Sequence, residues 1–297
     1  MLTAAKKLAY ALGRLVPIEP HDVAEGTRLC RILQGHELYT TLGRLSKAGD
    51  DPEQIVREYQ AASGVLKGDS AGERFYLSLK PPALRFKRDH AAAIAATAFK
   101  NGHGVHFDSH KFEETDATLT LLDELIGMQL SAAGGKRPWS FSLSLPTRWK
   151  RSREDARWAA RRGVRVRLVK GDFPAPAGEE LDPMEGCLEL VDQVAGQVPE
   201  LALASHDCAL ALDTVMHCRK SGTKVSLELF FGRPSTAMLA LGKDLGVPVG
   251  FYVPYGETLS VYLVRDLVYN PLKLLRSDAL EIFGTRQMKL ARIARAL

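Results

Sequence analysis

Lys80, Asp108, Arg167, His206, Glu228 and Tyr252 each fall in or at the end of a short run of alternating apolar residues, and Lys170 follows Arg167 by one turn of chain. Gathered together, two or three cations, two carboxylates and a phenol could hold an electron-rich ring or orient a small polar substrate. A guanidinium in particular offers a fork of donors to carbonyl, phosphate or ring-edge acceptors. Charges are costly to bury unless paired, so Lys80, Arg165 and Arg167 must meet Asp108 and Glu228, or a ligand. A second set lies in Val249–Leu267, where a short strand (Val249 to Val253) and a Pro254/Gly256 turn lead into a helix. Helical periodicity puts Tyr262, Arg265, Asp266 and Tyr269 on one face of it, like the roof of a pocket, and Pro271 limits its length.

Plainer readings stand beside these. The polar set could be an internal salt-bridge network without chemistry, and His206 could be a structural histidine. The segment His103–His110 carries His103, His106, Asp108 and His110. Strand alternation, however, sends His106 and Asp108 one way and leaves the other two in loops, and the spacing matches no zinc pattern, so no metal is expected. No GxGxxG follows a strand and no GxxxxGK[ST] occurs, which removes the nicotinamide-fold and P-loop readings.

The elements that must position these groups recur every 25 to 35 residues from Glu37 onward. Strands are expected at 37–43, 75–80, 104–108, 139–145, 164–170, 201–206, 224–230 and 249–253, with helix-like runs between them. Eight strands alternating with helices predict an α/β fold, a (β/α)8 TIM-type barrel forming a single domain over 1–297. Residues 1–35 read as an N-terminal helical segment (Ala4 to Leu15 and Asp22 to Leu33), and 279–297 as a basic amphipathic C-terminal helix. Within the strands, Phe75/Leu77/Leu79, Val105/Phe107, Val164/Val166/Leu168 and Val225/Leu227/Leu229 make an apolar face for the outer helices. Ser78/Lys80, His106/Asp108, Ser142/Ser144, Arg165/Arg167, His206, Ser226/Glu228 and Tyr252 make a polar one. Barrel interiors are ordinarily filled by branched aliphatics, and barrels of this kind bind ligands at the C-terminal ends of their strands.

Composition narrows the classes further. The chain has 297 residues, 45% hydrophobic and 25% charged, with a net charge of +5. It contains no apolar run long enough to span a bilayer and no signal-peptide pattern, so a cytoplasmic protein is expected, or one peripheral to the inner membrane. Cys30, Cys187, Cys208 and Cys218 form no CxxC and are expected as buried free thiols. The basic run from Arg148 to Arg167 lacks interleaved aromatics, so nucleic-acid binding is not expected.

In chain order, YLSLK (ending at Lys80), VHFD (Asp108), VRLVKG (Arg167, Lys170), LASH (His206), LELFFGRP (Glu228 to Pro234), FYVPYG (Tyr252) and YLVRD (Tyr262 to Asp266) resemble the proline dehydrogenases. These are FAD-dependent enzymes built on a distorted (β/α)8 barrel, and the resemblance covers about residues 37 to 275. It implies that Lys80 sits under the substrate carboxylate, that Asp108 orients its neighbours, and that Arg265 binds the carboxylate. It further implies flavin contacts from Arg167, Lys170, His206 and Glu228, and a proline pocket lined by Tyr252, Tyr262, Asp266 and Tyr269. The implied chemistry is hydride transfer from the carbon beside the ring nitrogen to flavin N5, giving a Δ1-pyrroline-type product, with electrons passed on to a quinone or other acceptor. Four positions depart from the family pattern: Asp266 replaces a second arginine, Pro146 and Glu228 replace glutamines, and Phe173 replaces a tyrosine. Asp266 opens a reading in which the substrate is a carboxylate-poor cyclic amine; a catalytically inactive binding barrel is a third.

Overall fold

Short runs rich in Leu, Val, Phe and Tyr form strands where their alternation predicts them, and four of the described helices begin where an aspartate caps them. The computed structural model describes residues 20–46, 49–66, 75–128, 140–256, 281 and 284–297. The strands are β1 (Tyr39–Leu45), β2 (Phe75–Leu79), β3 (Gly104–Phe107), β4 (Phe141–Pro146), β5 (Arg165–Val169), β6 (Glu200–Ala204), β7 (Lys224–Phe230) and β8 (Val249–Gly256). All pair in parallel and in chain order, and β8 pairs back onto β1 to close the barrel. Between them run α1 (Val23–Gln34), before β1, then α2 (Pro52–Val65), α3 (Arg88–Lys100), α4 (Thr115–Gly127), α5 (Ser152–Arg162), α6 (Pro183–Val194), α7 (Cys208–Ser221) and α8 (Thr236–Leu245). A final helix, α9 (Arg286–Ala296), follows. The chain is thus a (β/α)8 barrel with a helix before its first strand.

Asp22, Asp51, Asp182 and Asp207 each accept hydrogen bonds from the first-turn amides of α1, α2, α6 and α7. Pro52 and Pro183 occupy the first turn, where no amide is needed. The core lies between sheet and helices. Phe75, Leu77, Leu79, Val105, Phe107, Val166, Leu168, Leu227, Leu229 and Phe251 are buried there. The lumen, by contrast, is polar.

Several boundaries differ from expectation. Pro254 and Gly256 remain in β8, paired with Gly43 and Leu45, instead of turning. Pairing of β8 with β7 has already ended at Tyr252, so the missing amide of Pro254 interrupts no ladder on that side. β6 stops at Ala204, which leaves His206 in the loop beyond it. The basic C-terminal helix packs against the barrel with Lys289 and Ile293 buried, and the Lys289 ammonium donates to the Gly232 and Glu281 carbonyls (2.7 and 2.8 Å). The expected helix Ala4 to Leu15 lies outside the described residues. The four cysteines are free, and burial pushes the Cys30 thiol up to about 12. No helix among the described residues is long and apolar enough to cross a membrane.

Candidate active site

Lys80 and Asp108 are the residues immediately after β2 and β3, so they arrive side by side at the C-terminal end of the barrel. The Asp108 amide donates to the Leu79 carbonyl (2.9 Å), extending the ladder by one residue and fixing that arrangement. Tyr252 comes from the other side of the closure. Its phenol occupies the space over Gly43, where a Cβ would lie 2.0 Å from the hydroxyl oxygen. The missing side chain at Gly43 is therefore what lets Tyr252 reach across the lumen. There the Lys80 ammonium donates to Asp108 Oδ2 (3.2 Å) and to the Tyr252 hydroxyl (3.1 Å), and that hydroxyl donates to Asp108 Oδ2 (3.3 Å).

Arg167 lies below this triangle. Its Nη1 donates to Glu228 Oε1 (2.7 Å) and its Nη2 to Asp108 Oδ1 (3.2 Å), while Thr41 donates to Glu228 Oε2 (2.8 Å). The guanidinium also lies over the Tyr252 ring, 5.2 Å from its centroid. Its third donor nitrogen, Nε, is buried and has no hydrogen-bond partner among the described residues. A buried donor left unpaired costs about 1–3 kcal/mol, so a bound acceptor atom there would be favoured.

The charge states are fixed by this packing. Burial alone would drive the Lys80 pKa down, but Tyr252 and Asp108 outweigh it and hold the ammonium well above its ordinary value. Burial would likewise raise Asp108, yet Lys80 and Arg167 hold its carboxyl far below the usual range. Burial raises the Tyr252 phenol above its ordinary value, so it stays neutral. Ser144 donates to Asp108 Oδ1 (3.2 Å), which leaves His106 Nε2–H to donate to Ser144 (2.8 Å) and His106 Nδ1 to accept from Ser142 (2.9 Å). Burial, then the Arg167 charge, press the His106 pKa well below its ordinary value and keep it neutral.

Three more predicted residues, Glu228, Lys170 and His206, lie on β7, on the β5 exit and on the β6 exit. Both Glu228 oxygens are engaged, so it acts through Arg167 and Thr41. Lys170 is exposed on the β5 exit, and Gly171 beyond it has φ +87°, with Pro146 only 2.8 Å from where a Cβ would stand. His206 Nδ1 donates to the Pro234 carbonyl (2.6 Å) and its Nε2 accepts from the Phe230 amide (3.0 Å), so its nitrogens hold the β6 and β7 exits together. Tyr262, Arg265, Asp266 and Tyr269 lie outside the described residues. Of the metal-like cluster, His103 is buried against Phe75 and bonded to the Ser63 carbonyl, while His110 pairs with Glu114. Among the described residues no group of three His, Cys, Asp or Glu could hold a metal.

Sequence reasoning missed Phe230, whose ring stacks on Tyr252 at 5.5 Å and 23°, and the Gly43 gap. The glycine was visible only as a small residue on the lumen face of β1. Also missed were Tyr39, Tyr76 and Glu200 at the opposite end of the lumen. There Arg165 donates to Glu200 (2.9 Å), Ser142 (3.2 Å) and Ser226 (3.1 Å) and lies over the Tyr76 ring at 4.6 Å.

No protein-family model matches the sequence, and no curated protein does. Solved structures do share the fold. Proline utilization A from Bdellovibrio bacteriovorus, inactivated by N-propargylglycine, matches with a TM-score of 0.73 at 18% identity, over 97% of this chain and 36% of that one. Proline utilization A from Corynebacterium freiburgense matches at 0.65 and 16% identity, over 100% of this chain and 34% of that one. The Bradyrhizobium japonicum protein gives 0.64 and 17% identity, over 87% and 31%. The chain therefore spans about a third of the length of those structures, and the likeness is one of fold.

Proposed function

We propose that this barrel is an FAD-dependent oxidoreductase of the proline dehydrogenase type, acting on the carbon–nitrogen bond of proline or a related cyclic amine. The observation that carries this reading is Arg167: buried, fixed by two carboxylates, and left with a donor nitrogen unpartnered among the described residues at the C-terminal end of the strands. An acceptor-bearing ring fits that donor, and the residues that would hold the cofactor are Arg167 and, on the β5 exit, Lys170. Glu228 fixes the Arg167 fork, and His206 fixes the loops on either side. When bound, FAD supplies a two-electron acceptor for the hydride of the carbon beside the substrate nitrogen.

The chain's own groups do the positioning. Lys80, held cationic by Asp108 and Tyr252, presents a fixed positive charge. Tyr252 and Phe230 present stacked aromatic faces against which a small saturated ring can pack and exclude water. Since Lys80 and Asp108 keep their charges and Tyr252 and His106 stay neutral, these four orient the substrate without exchanging protons with it. The fold shared with proline utilization A supports the same reading, as does the order of motifs from YLSLK to YLVRD.

One observation favours a carboxylate-poor amine over proline. The cations Lys80 and Arg167 are balanced by Asp108 and Glu228, so this buried set holds no surplus positive charge for a substrate carboxylate. The test is the visible spectrum of the purified protein with added FAD, followed by anaerobic addition of L-proline or pyrrolidine. Flavin uptake with bleaching by either amine is expected; faster bleaching by pyrrolidine selects the carboxylate-poor substrate, and Asp266→Arg then gains reduction by proline. Folded protein that takes up no FAD would overturn the reading in favour of an inactive barrel. The electron acceptor in this proposal is a quinone or another small oxidant.

A further inference from the structure

A hydride can leave an amine carbon only once the nitrogen lone pair is free, so a substrate arriving as an ammonium ion must first lose a proton. None of the inner groups can take it. Lys80 already carries its proton, Asp108 is held as a carboxylate by two cations, and both nitrogens of His106 are committed to Ser142 and Ser144.

His110 differs from His106 and His206, the histidines on the neighbouring strands and their exits. It lies two residues beyond Asp108 on the β3 exit, and its Nδ1 is 2.5 Å from Glu114 Oε2. That carboxylate is anchored in turn by the Lys111 amide (3.3 Å). An ionised carboxylate accepts only, so it sets the tautomer with the proton on Nδ1 and leaves the Nε2 lone pair available as an acceptor. Among the described residues no group bonds to Nε2. His206, by contrast, has both nitrogens engaged. The opposite wall of the ring's surroundings is the β5 exit. Phe173 lies there, 4.5 Å from the His110 ring centroid, three residues past Lys170, and its carbonyl is pinned by Trp149 Nε1 (3.0 Å). The charged group that meets the imidazole is Glu114; from the β5 side it meets the apolar Phe173 ring. The imidazole is about a quarter exposed, at 27%, so a proton taken up can pass on to solvent.

We propose that the His110–Glu114 pair is the proton acceptor for the substrate ammonium. The N–H bond of the ammonium breaks, its electron pair stays on nitrogen, and the proton bonds to His110 Nε2, giving a neutral amine and an imidazolium stabilised by Glu114. No oxidant takes part in this step. The inference rests on the amine-oxidising reading above, and it assigns a role to a residue outside the set of motifs that led to it.

The test compares wild type, His110→Gln and Glu114→Gln, each loaded with FAD, for flavin uptake and for the rate of anaerobic reduction by pyrrolidine as a function of pH. His110→Gln takes up FAD normally but is reduced on the order of 10²-fold more slowly near neutral pH. Its rate recovers as pH rises beyond about 10 to 11, the range in which an aliphatic ammonium loses its own proton to water. Glu114→Gln shows a smaller loss in the same direction. Independently of turnover, imidazole 15N spectra show the Nδ1–H tautomer at His110 in wild type and its loss in Glu114→Gln. Normal FAD uptake and reduction with superimposable pH profiles would overturn the proton-acceptor role alone, as would a loss that does not recover at high pH. Failure of all three proteins to take up FAD would overturn the amine-oxidising reading, and this inference with it.

Discussion

The two ends of the barrel lumen use the same residue types to opposite effect. At the N-terminal end of the strands, Arg165 directs Nε to Glu200, Nη1 to Ser142 and Nη2 to Ser226, and its face covers Tyr76. Every donor group is matched, and the side chain is 1% exposed. Two residues along the same strand, Arg167 meets two partners instead of three, both carboxylates, and its buried Nε is left over among the described residues. A line of hydrogen bonds joins the two: Arg165 to Ser142, Ser142 to His106, His106 to Ser144, Ser144 to Asp108. One end is a finished plug and the other an unfinished network, and that difference separates a charge cluster made for stability from one made for a ligand.

The comparison breaks first if the plug proves dispensable. Arg165→Met leaves Glu200 without its cation and removes one donor from each of the Ser142 and Ser226 hydroxyls, and is expected to lower unfolding stability by about 3–5 kcal/mol in chemical denaturation at unchanged denaturant slope, while the folded fraction keeps its FAD affinity. A loss below about 1 kcal/mol would mean that the network is ornamental. At the other end, Tyr252→Phe removes one hydroxyl from a triangle whose Lys80–Asp108 pair survives. A stability loss of about 1 kcal/mol follows, with amine reduction of the flavin slowed more than the folding equilibrium is shifted.

The smallest effect is a pH limb confined to the ligand end. Burial would raise the Asp108 pKa, but Lys80 and Arg167 lower it by more. A folded pKa below the unfolded one contributes stability that is present above about pH 4 and lost as pH falls through the folded value. Wild type therefore loses stability on acidification below about pH 4, and Asp108→Asn lacks that component of the limb. Identical acid limbs in the two proteins would remove the coupling assigned to Asp108.

Much of this was legible in the residues. Alternation in FYLSLK, GVHF and KVSLELF separated lumen from core because one face of each strand is apolar throughout. It placed Lys80, Asp108, Arg167, Glu228 and Tyr252 in one lumen, where they now meet within hydrogen-bonding distance. Strand ends were less legible. The Ser205–His206 pair reads as a continuation of β6, but Asp207 next to it caps α7 and His206 bonds to neighbouring loops, and such local polar bonds compete with a ladder. Tyr39 and Tyr76 were opaque for another reason: a tyrosine in a strand suits either face, and only the guanidinium of Arg165 shows why both point inward. The approach of the Tyr252 phenol to Gly43 across the closure joins residues some two hundred positions apart, beyond the reach of local patterns.

The central claim is that the unpartnered donor of Arg167 marks a flavin site, and equilibrium binding of FAD to wild type and Arg167→Met, followed by visible absorbance, tests it most directly. The account predicts a yellow wild-type complex and a variant that stays folded while its affinity falls on the order of 10-fold to 10²-fold, the worth of a hydrogen bond from a charged donor. Equal FAD affinity in the two proteins, or none in folded wild type, would contradict it.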